Sequence, residues 1–472
     1  MKMETEKTIR FTRRQWLALG LTAAASLLWV IFQPSIFDGR FVTLPGFGMT
    51  LWVGLTFSAL LLWAAPGKKF SRRGTALLTL TVALSLVFSL RADENLWLMN
   101  LPVQLGLMAL TCLELRGEAN LFTFRGLMGG LGRCVAGLFR YLPRPFQAAT
   151  TVLFKQEGNR RIKGFLLGVV LCVPLLVIVV LLLSDADSVF GGYFQNLISA
   201  VQTTNSATVL WAAIRFVAGT LMLCSLCCFM GLASAPEEKP ETPSRAHAAM
   251  PATVLGALAA VYLLFAYVQF RYLFFAAGAP AQGYAQYARS GFFQLVAVAF
   301  LTLMVVLPCV CRWPGSRAVR GLAGLVTLLT LVILVSAAWR MALYVQAFGL
   351  SILRVVTLWG MLALAIALSA ALAKALRPRL KIAAPLLMIV AASWVLLNYA
   401  NINARIAEYN VRAWEAQPES VRLDVTYLTY DLYPASAPVL KELYQNHPEL
   451  EQPVERKQPS WFDSSVDWLI AQ

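Results

Sequence analysis

Eleven apolar runs divide the chain, each close to the roughly 20 residues that a helix needs to cross about 30 Å of hydrocarbon. They predict spans near 16–33, 46–65, 74–90, 95–113, 164–183, 208–232, 251–275, 291–311, 321–341, 354–376 and 382–400. Only a tight polar turn with Arg91, Asp93 and Glu94 parts the third from the fourth, and Pro102 interrupts the latter. A helical hairpin that fails to span is therefore the alternative for 74–113. No stretch shows the roughly ten-residue alternation of a membrane β-barrel, so the fold class is all-α, a polytopic transmembrane helical bundle.

Basic residues orient the bundle, because cytoplasmic loops hold the excess of Lys and Arg. With the N-terminus inside, segments 1–15, 66–73, 114–163, 233–250, 312–320 and 374–381 are cytoplasmic and hold 27 of the chain's 40 Lys and Arg. Eleven spans then leave the C-terminus outside. The tail agrees, since residues 401–472 carry 11 Asp and Glu against 6 Lys and Arg. Four regions follow: N-terminal transmembrane helices over 1–113, a cytoplasmic basic amphipathic segment over 114–163, a main transmembrane bundle over 164–400, and an acidic helical extracytoplasmic tail over 401–472.

Composition changes the picture only by exclusion. Of 472 residues 58% are apolar and 14% charged, against roughly 25% charged in soluble domains, which excludes a soluble enzyme, a disordered chain and a small disulfide scaffold. The net charge of +16 reads as a topology signal, and nucleic acid is not an expected partner. Arg13-Arg14 before the first run looks superficially like a twin-arginine signal, and Ala23-Ala24-Ala25 like a cleavage site. The run continues through Phe32, so an uncleaved first span is expected.

Candidate chemistry is sparse. All eight Cys lie in spans or cytoplasmic segments, where disulfides are not expected. Cys224 and Cys227 have CxxC spacing inside an apolar helix, with no second pair or nearby His, and read as small packing residues. Only His247 and His447 are present. No zinc motif, Walker loop, nucleophile elbow or dinucleotide fingerprint occurs, so no metal, cofactor or catalytic residue is assigned.

Two features stand out. Segment 114–163 mixes Leu121, Phe122, Phe124, Leu127, Met128, Val135, Leu138 and Phe139 with Arg125, Arg133, Arg140 and Arg144. It should lie in the inner headgroup layer, as a structural interface helix or as a lipid sensor. The second feature is charge at the outer ends of spans: Arg215, Arg271, Arg289, Arg340 and Arg354. Charge at membrane depth calls for a partner or water. Asp185 and Asp187, the acidic tail and an anionic ligand such as a lipid phosphate are the possible partners, and snorkelling needs none.

Beyond residue 400, Ile402, Ile406, Tyr409 and Ala413 predict a helix that continues the last span outward. Val421, Val425 and Leu428 predict a second helix ending before Pro434, and Ser436 can cap a third through Val439, Leu440, Leu443 and Tyr444. A part this small should pack on the bundle.

Several stretches carry a resemblance. They are Gly164-Phe165-Leu166-Leu167-Gly168 on to Ser184-Asp185-Ala186-Asp187-Ser188-Val189-Phe190, Gln286 through Leu295, Tyr344 through Arg354, Asn398 through Asn410, and Asp424-Val425-Thr426-Tyr427-Leu428. From about residue 160 to 445 the chain resembles a family of uncharacterised bacterial multi-pass membrane proteins, a domain of unknown function. That resemblance implies an integral protein of the bacterial inner membrane and no activity. The family tends to continue its Tyr-Leu motif with a serine, where this chain has Thr429-Tyr430-Asp431.

Those stretches fall on the outer side of the predicted bundle. A non-enzymatic envelope sensor or assembly protein, with the lipid bilayer and an envelope protein as partners, is the first expectation. A transporter or lipid handler with an outward Arg-lined site for an anionic ligand is the second, and a membrane enzyme ranks third because no acid/base pair can be named.

Overall fold

The computed structural model describes residues 12–37, 46–64, 71–91, 94–117, 121, 123–145, 206–232, 248–275, 292–418, 423–448 and 450. Those residues form helices and no strand. In chain order the helices are α1 (Arg13–Phe37), α2 (Phe47–Ala64), α3 (Arg72–Leu90), α4 (Glu94–Arg116), α5 (Phe124–Arg140), α6 (Ser206–Leu232) and α7 (Ala249–Phe275). They continue with α8 (Phe292–Arg312), α9 (Arg317–Phe348), α10 (Ile352–Leu376), α11 (Ala383–Tyr399), α12 (Ile402–Ala416), α13 (Val425–Tyr430) and α14 (Ala437–Asn446). Lipid offers no partner for a backbone amide, so each apolar run satisfies its own as a helix. Where the chain meets water, side chains take over the caps. Ser71 accepts from Gly74 N at 3.0 Å, Thr123 from Gly126 N at 3.0 Å and Ser316 from Val319 N at 3.3 Å.

Nine helices among the described residues are long and apolar enough to cross a membrane, and they coincide with nine of the predicted spans. The third and fourth runs, α3 and α4, each qualify separately despite Pro102. The predicted span 164–183 lies outside the described residues. The last predicted span differs. Helix α11 has 17 residues and meets α12 at a bend of 61°. The expectation that the tail helix continues the last span is therefore corrected: Asn401 adopts a left-handed conformation (φ 51°) that ends one helix and redirects the next.

Packing sorts the helices into two groups. The first joins α1–α6 and α11 around Met49, Phe57, Leu77, Leu84, Phe88, Met108 and Met230. The second joins α7–α10 around Leu255, Ala299, Val306, Ala323, Val326, Ala337, Leu368 and Ala371, where small residues let helices approach closely. Hydroxyls and amides bind helix to helix inside the first group. Gln104 donates to Thr81 O at 3.2 Å, the Thr81 and Thr111 hydroxyls meet at 3.2 Å, and the Thr50 hydroxyl donates to Ser85 O at 2.7 Å. In the second group Tyr262 and Thr302 share a hydroxyl bond at 2.8 Å. Helix α10 links the two, packing Trp359 against Trp394 of α11 with ring centroids 4.7 Å apart and planes tilted by 60°.

Among the described residues the tail has no separate core. Ile402, Ile406, Ala407, Val411, Leu428, Leu432, Leu440 and Leu443 are buried in the same cluster as the first group. Ser436 stands just before α14 as predicted, but its hydroxyl caps nothing there and donates instead to Leu428 O at 2.7 Å. Seven cysteines fall among the described residues; all are free, and all but Cys311 are buried.

Candidate functional site

Helix α9 stops at Phe348 because Gly349 takes φ +70° and ψ −174°, a backbone conformation that only glycine adopts readily. Gly349, Leu350 and Ser351 then turn the chain into α10. Ser351 occupies the N-cap position of α10 yet makes no side-chain cap bond. The cap comes from far along the chain instead: Ile352 N donates to the Tyr427 hydroxyl at 3.0 Å. Tyr427 is itself fixed by Asp424, whose carboxylate accepts from Tyr427 N at 2.9 Å and caps α13.

A second hand comes from α12. The Asn410 carboxamide accepts from Leu350 N at 2.7 Å and donates to Leu350 O at 2.9 Å. Both hydrogen-bonding groups of one main-chain residue are thus met by one side chain, as a neighbouring strand would meet them. The fit is close, since a Cβ at position 349 would lie 2.5 Å from Asn410 Oδ1.

Arg354 completes the turn from inside. Its Nη1 donates to Phe348 O at 2.8 Å and to Gly349 O, and its guanidinium lies 4.4 Å from the centre of the Tyr344 ring. A cation here sits at the negative end of the α9 dipole. The arrangement satisfies three of the groups that a helix end leaves open.

One step along the same end of the bundle, α11 is tied to α3 and α4. Trp394 Nε1 donates to Asn100 Oδ1 at 2.8 Å, Asn100 Nδ2 to Asn398 Oδ1 at 2.8 Å, and Asn398 Nδ2 to Trp394 O at 2.9 Å. Arg91 Nη2 donates to Tyr399 O at 3.0 Å, and the Tyr399 hydroxyl to Ala83 O at 2.9 Å. Asn100 and Asn398 are each 1% exposed, a depth at which amides demand partners.

The residues singled out from the sequence are only partly brought together. Arg354 lies in this junction, engaged with main-chain carbonyls and an aromatic face. Arg340 is half-buried on α9, one turn before Tyr344. Arg215 is half-buried on α6, far along the chain from the junction. Arg271 stands in the last turns of α7. Asp185, Asp187 and Arg289 lie outside the described residues. The sequence reading missed Asn410, Tyr427, Asn100 and Trp394 as individuals. Asn410 and Tyr427 sit within the resemblance stretches, and Asn100 with Gln104 forms an i, i+4 amide pair inside an apolar run, which was the available signal.

Chemically the junction holds amides, hydroxyls, the Asp424 carboxylate and the guanidinium groups of Arg354 and Arg91, mostly directed at backbone, a set suited to fixing geometry. Among the described residues no group of three His, Cys, Asp or Glu is placed to hold a metal ion.

A family model for a domain of unknown function, DUF4153, matches residues 78–443. No curated protein and no solved structure matches the chain. The match begins earlier than the stretches noted in the sequence, within α3, and runs to α14, so it takes in every residue of the junction. This chain, an integral multi-pass membrane protein, belongs to the DUF4153 family.

Proposed function

We propose that the chain is a non-enzymatic envelope protein of the bacterial inner membrane, a sensor or assembly partner, whose extracytoplasmic tail and transmembrane bundle act as one mechanical unit. The observation that carries this is the pair of contacts from Asn410 and Tyr427 to the main chain between α9 and α10. Contacts to backbone transmit position without depending on side-chain chemistry in the turn. A force or partner acting on the tail is thereby felt at the start of α10, the helix that links the two groups.

The orientation in this reading has the N-terminus in the cytoplasm and about eleven spans. Charge at the two ends of the bundle supports it. The end carrying Arg72, Arg73, Arg312, Arg317, Arg377 and Arg379 has Glu114 as its one acid among the described residues, and Glu114 is engaged by Ser71 at 2.8 Å. The opposite end carries Glu408, Glu415, Asp424, Asp431 and Glu442.

The test is Asn410→Ala combined with Tyr427→Phe in the native host. The double variant is expected to insert at normal abundance and to behave like a deletion strain under envelope stress. Wild-type behaviour at normal abundance would overturn the proposal.

A second reading, a transporter or lipid handler, draws on the 61° break at Asn401 and the buried amides beside it. In that reading Arg215, Arg271, Arg289, Arg340 and Arg354, with Asp185 and Asp187, line an outward site for an anionic ligand such as a lipid phosphate. An anionic lipid retained on native purification and lost in Arg289→Glu/Arg354→Glu would favour it.

A further inference from the structure

Helix α5 has three distinct sides. Gly130, Cys134 and Gly137, at i, i+4 and i+7, are buried. Gly137 lies so close to Phe229 that a Cβ would come 2.5 Å from its ring, and Gly137 O accepts from the Ser225 hydroxyl of α6 at 3.0 Å. That side is pinned to the bundle. Roughly opposite, Met128, Val135 and Phe139 are 49%, 59% and 67% exposed. Arg133 and Arg140 stand on the flank between those two sides, with exposed Arg144 just beyond the helix.

The helix is not a span. It has 17 residues and three arginines, Arg125, Arg133 and Arg140, and it falls outside the helices fit to cross a membrane. It follows α4 after Gly117, which has φ +74°, and the contact of Gly137 with Phe229 puts it beside the end of α6. There Arg116 donates to Phe229 O at 3.2 Å and lies over the same ring. An open apolar stripe, flanked by cations and set among basic helix ends, is complementary to one surface: a leaflet with apolar chains below and negative headgroups above.

We infer that α5 is a docking surface for anionic lipid, with Met128, Val135 and Phe139 entering the acyl layer and Arg140 and Arg144 engaging the headgroups of the leaflet at that end of the bundle. The Gly137 contact makes the docked helix part of the α4 and α6 packing, so lipid charge at this leaflet sets how firmly α5 is held. The inference is independent of the outer junction and of the function proposed from it.

Hydrogen exchange of the 124–140 amides tests it, using the full chain in nanodiscs of phosphatidylcholine alone and of phosphatidylcholine with one-third phosphatidylglycerol. Two arginines near an anionic surface are expected to slow exchange in α5 about thirtyfold. Arg140→Gln/Arg144→Gln should abolish the difference between the two lipids, whereas Arg377→Gln/Arg379→Gln, at the same end but on another turn, should keep it. Phe139→Ser is the second variant and should speed exchange in both lipids while the α9 and α10 amides remain as in the native chain. Equal exchange in the two lipids, or a difference that survives Arg140→Gln/Arg144→Gln, would overturn the inference, as would protection that appears only on adding a soluble protein.

Discussion

Gly349→Ala is the sharpest probe of the junction. The replacement must adopt φ +70° with ψ −174°, a conformation that costs a non-glycine residue roughly 1–3 kcal/mol. Its Cβ would also meet Asn410 Oδ1 at 2.5 Å. That oxygen cannot swing aside freely, because the carboxamide is held by both groups of Leu350. Moving it breaks two bonds worth about 0.5–1.5 kcal/mol each. Taken together the loss is about 3 kcal/mol, or on the order of 100-fold in the opening equilibrium of the tail. Hydrogen exchange of the 402–446 amides reads that equilibrium directly. Gly117→Ala is the control, since Gly117 also has positive φ, +74°, but no described residue within 4 Å of an added Cβ. It should cost only the backbone contribution, about 1 kcal/mol, and leave the tail unchanged. If Gly349→Ala speeds tail exchange no more than Gly117→Ala does, the clamp does not hold the tail and the reasoning fails.

Other substitutions separate the contacts. Tyr427→Phe strips the N-cap of α10 of its acceptor and should cost about 1–2 kcal/mol, seen as faster exchange at the start of α10. Tyr444→Phe should be neutral or slightly stabilising in the same measurement, because the Tyr444 hydroxyl is buried without a hydrogen-bond partner among the described residues. Asn100→Ala leaves Trp394 and Asn398 each short of a partner and should lower stability by about 1–2 kcal/mol in a detergent unfolding titration. Glu408→Ala removes both ion pairs of α12 seen among the described residues, to Arg405 at 3.2 Å and Arg412 at 2.6 Å. The two arginines are largely exposed, so the change should stay within about 0.5 kcal/mol; a larger loss would show the pairs to be part of the tail's attachment.

Much of this architecture is written in length and hydropathy, which is why nine helices long and apolar enough to cross a membrane emerge, among the described residues, close to the predicted places. Even α3 and α4 follow that rule, since the polar turn between them is short but each run is long enough alone. What escaped prediction depended on single backbone angles and on distant pairs. The bend after Tyr399 rests on Asn401 in a left-handed conformation, and asparagine is one of several residues that tolerate it, so apolar spacing alone read a continuous helix. Ser436 was legible as a helix start, but the hydroxyl that should cap α14 is drawn to Leu428 O by tertiary packing. At the junction the charged residues drew attention because charge in lipid is costly. The neutral Asn410 and Tyr427, which hold the turn, signal little until the tail is folded onto it. Arg354 was singled out as a charge at membrane depth, with snorkelling, an acidic partner and an anionic ligand all open, and its Nη1 is directed at the end of its neighbouring helix.

The bond between Asn100 and Asn398 has a bearing on how the protein is made. Its partners are 298 residues apart, with all of α5 to α10 synthesised between them. At about 5–20 residues per second, Asn100 enters the membrane some 15–60 s before the side chain that completes it. For that interval α3 and α4 are a half-built wall with an amide turned toward lipid or toward whatever insertion machinery shields it. The first group of helices is therefore the first to enter the membrane and the last to close, and its final piece arrives with the same segment that delivers the tail.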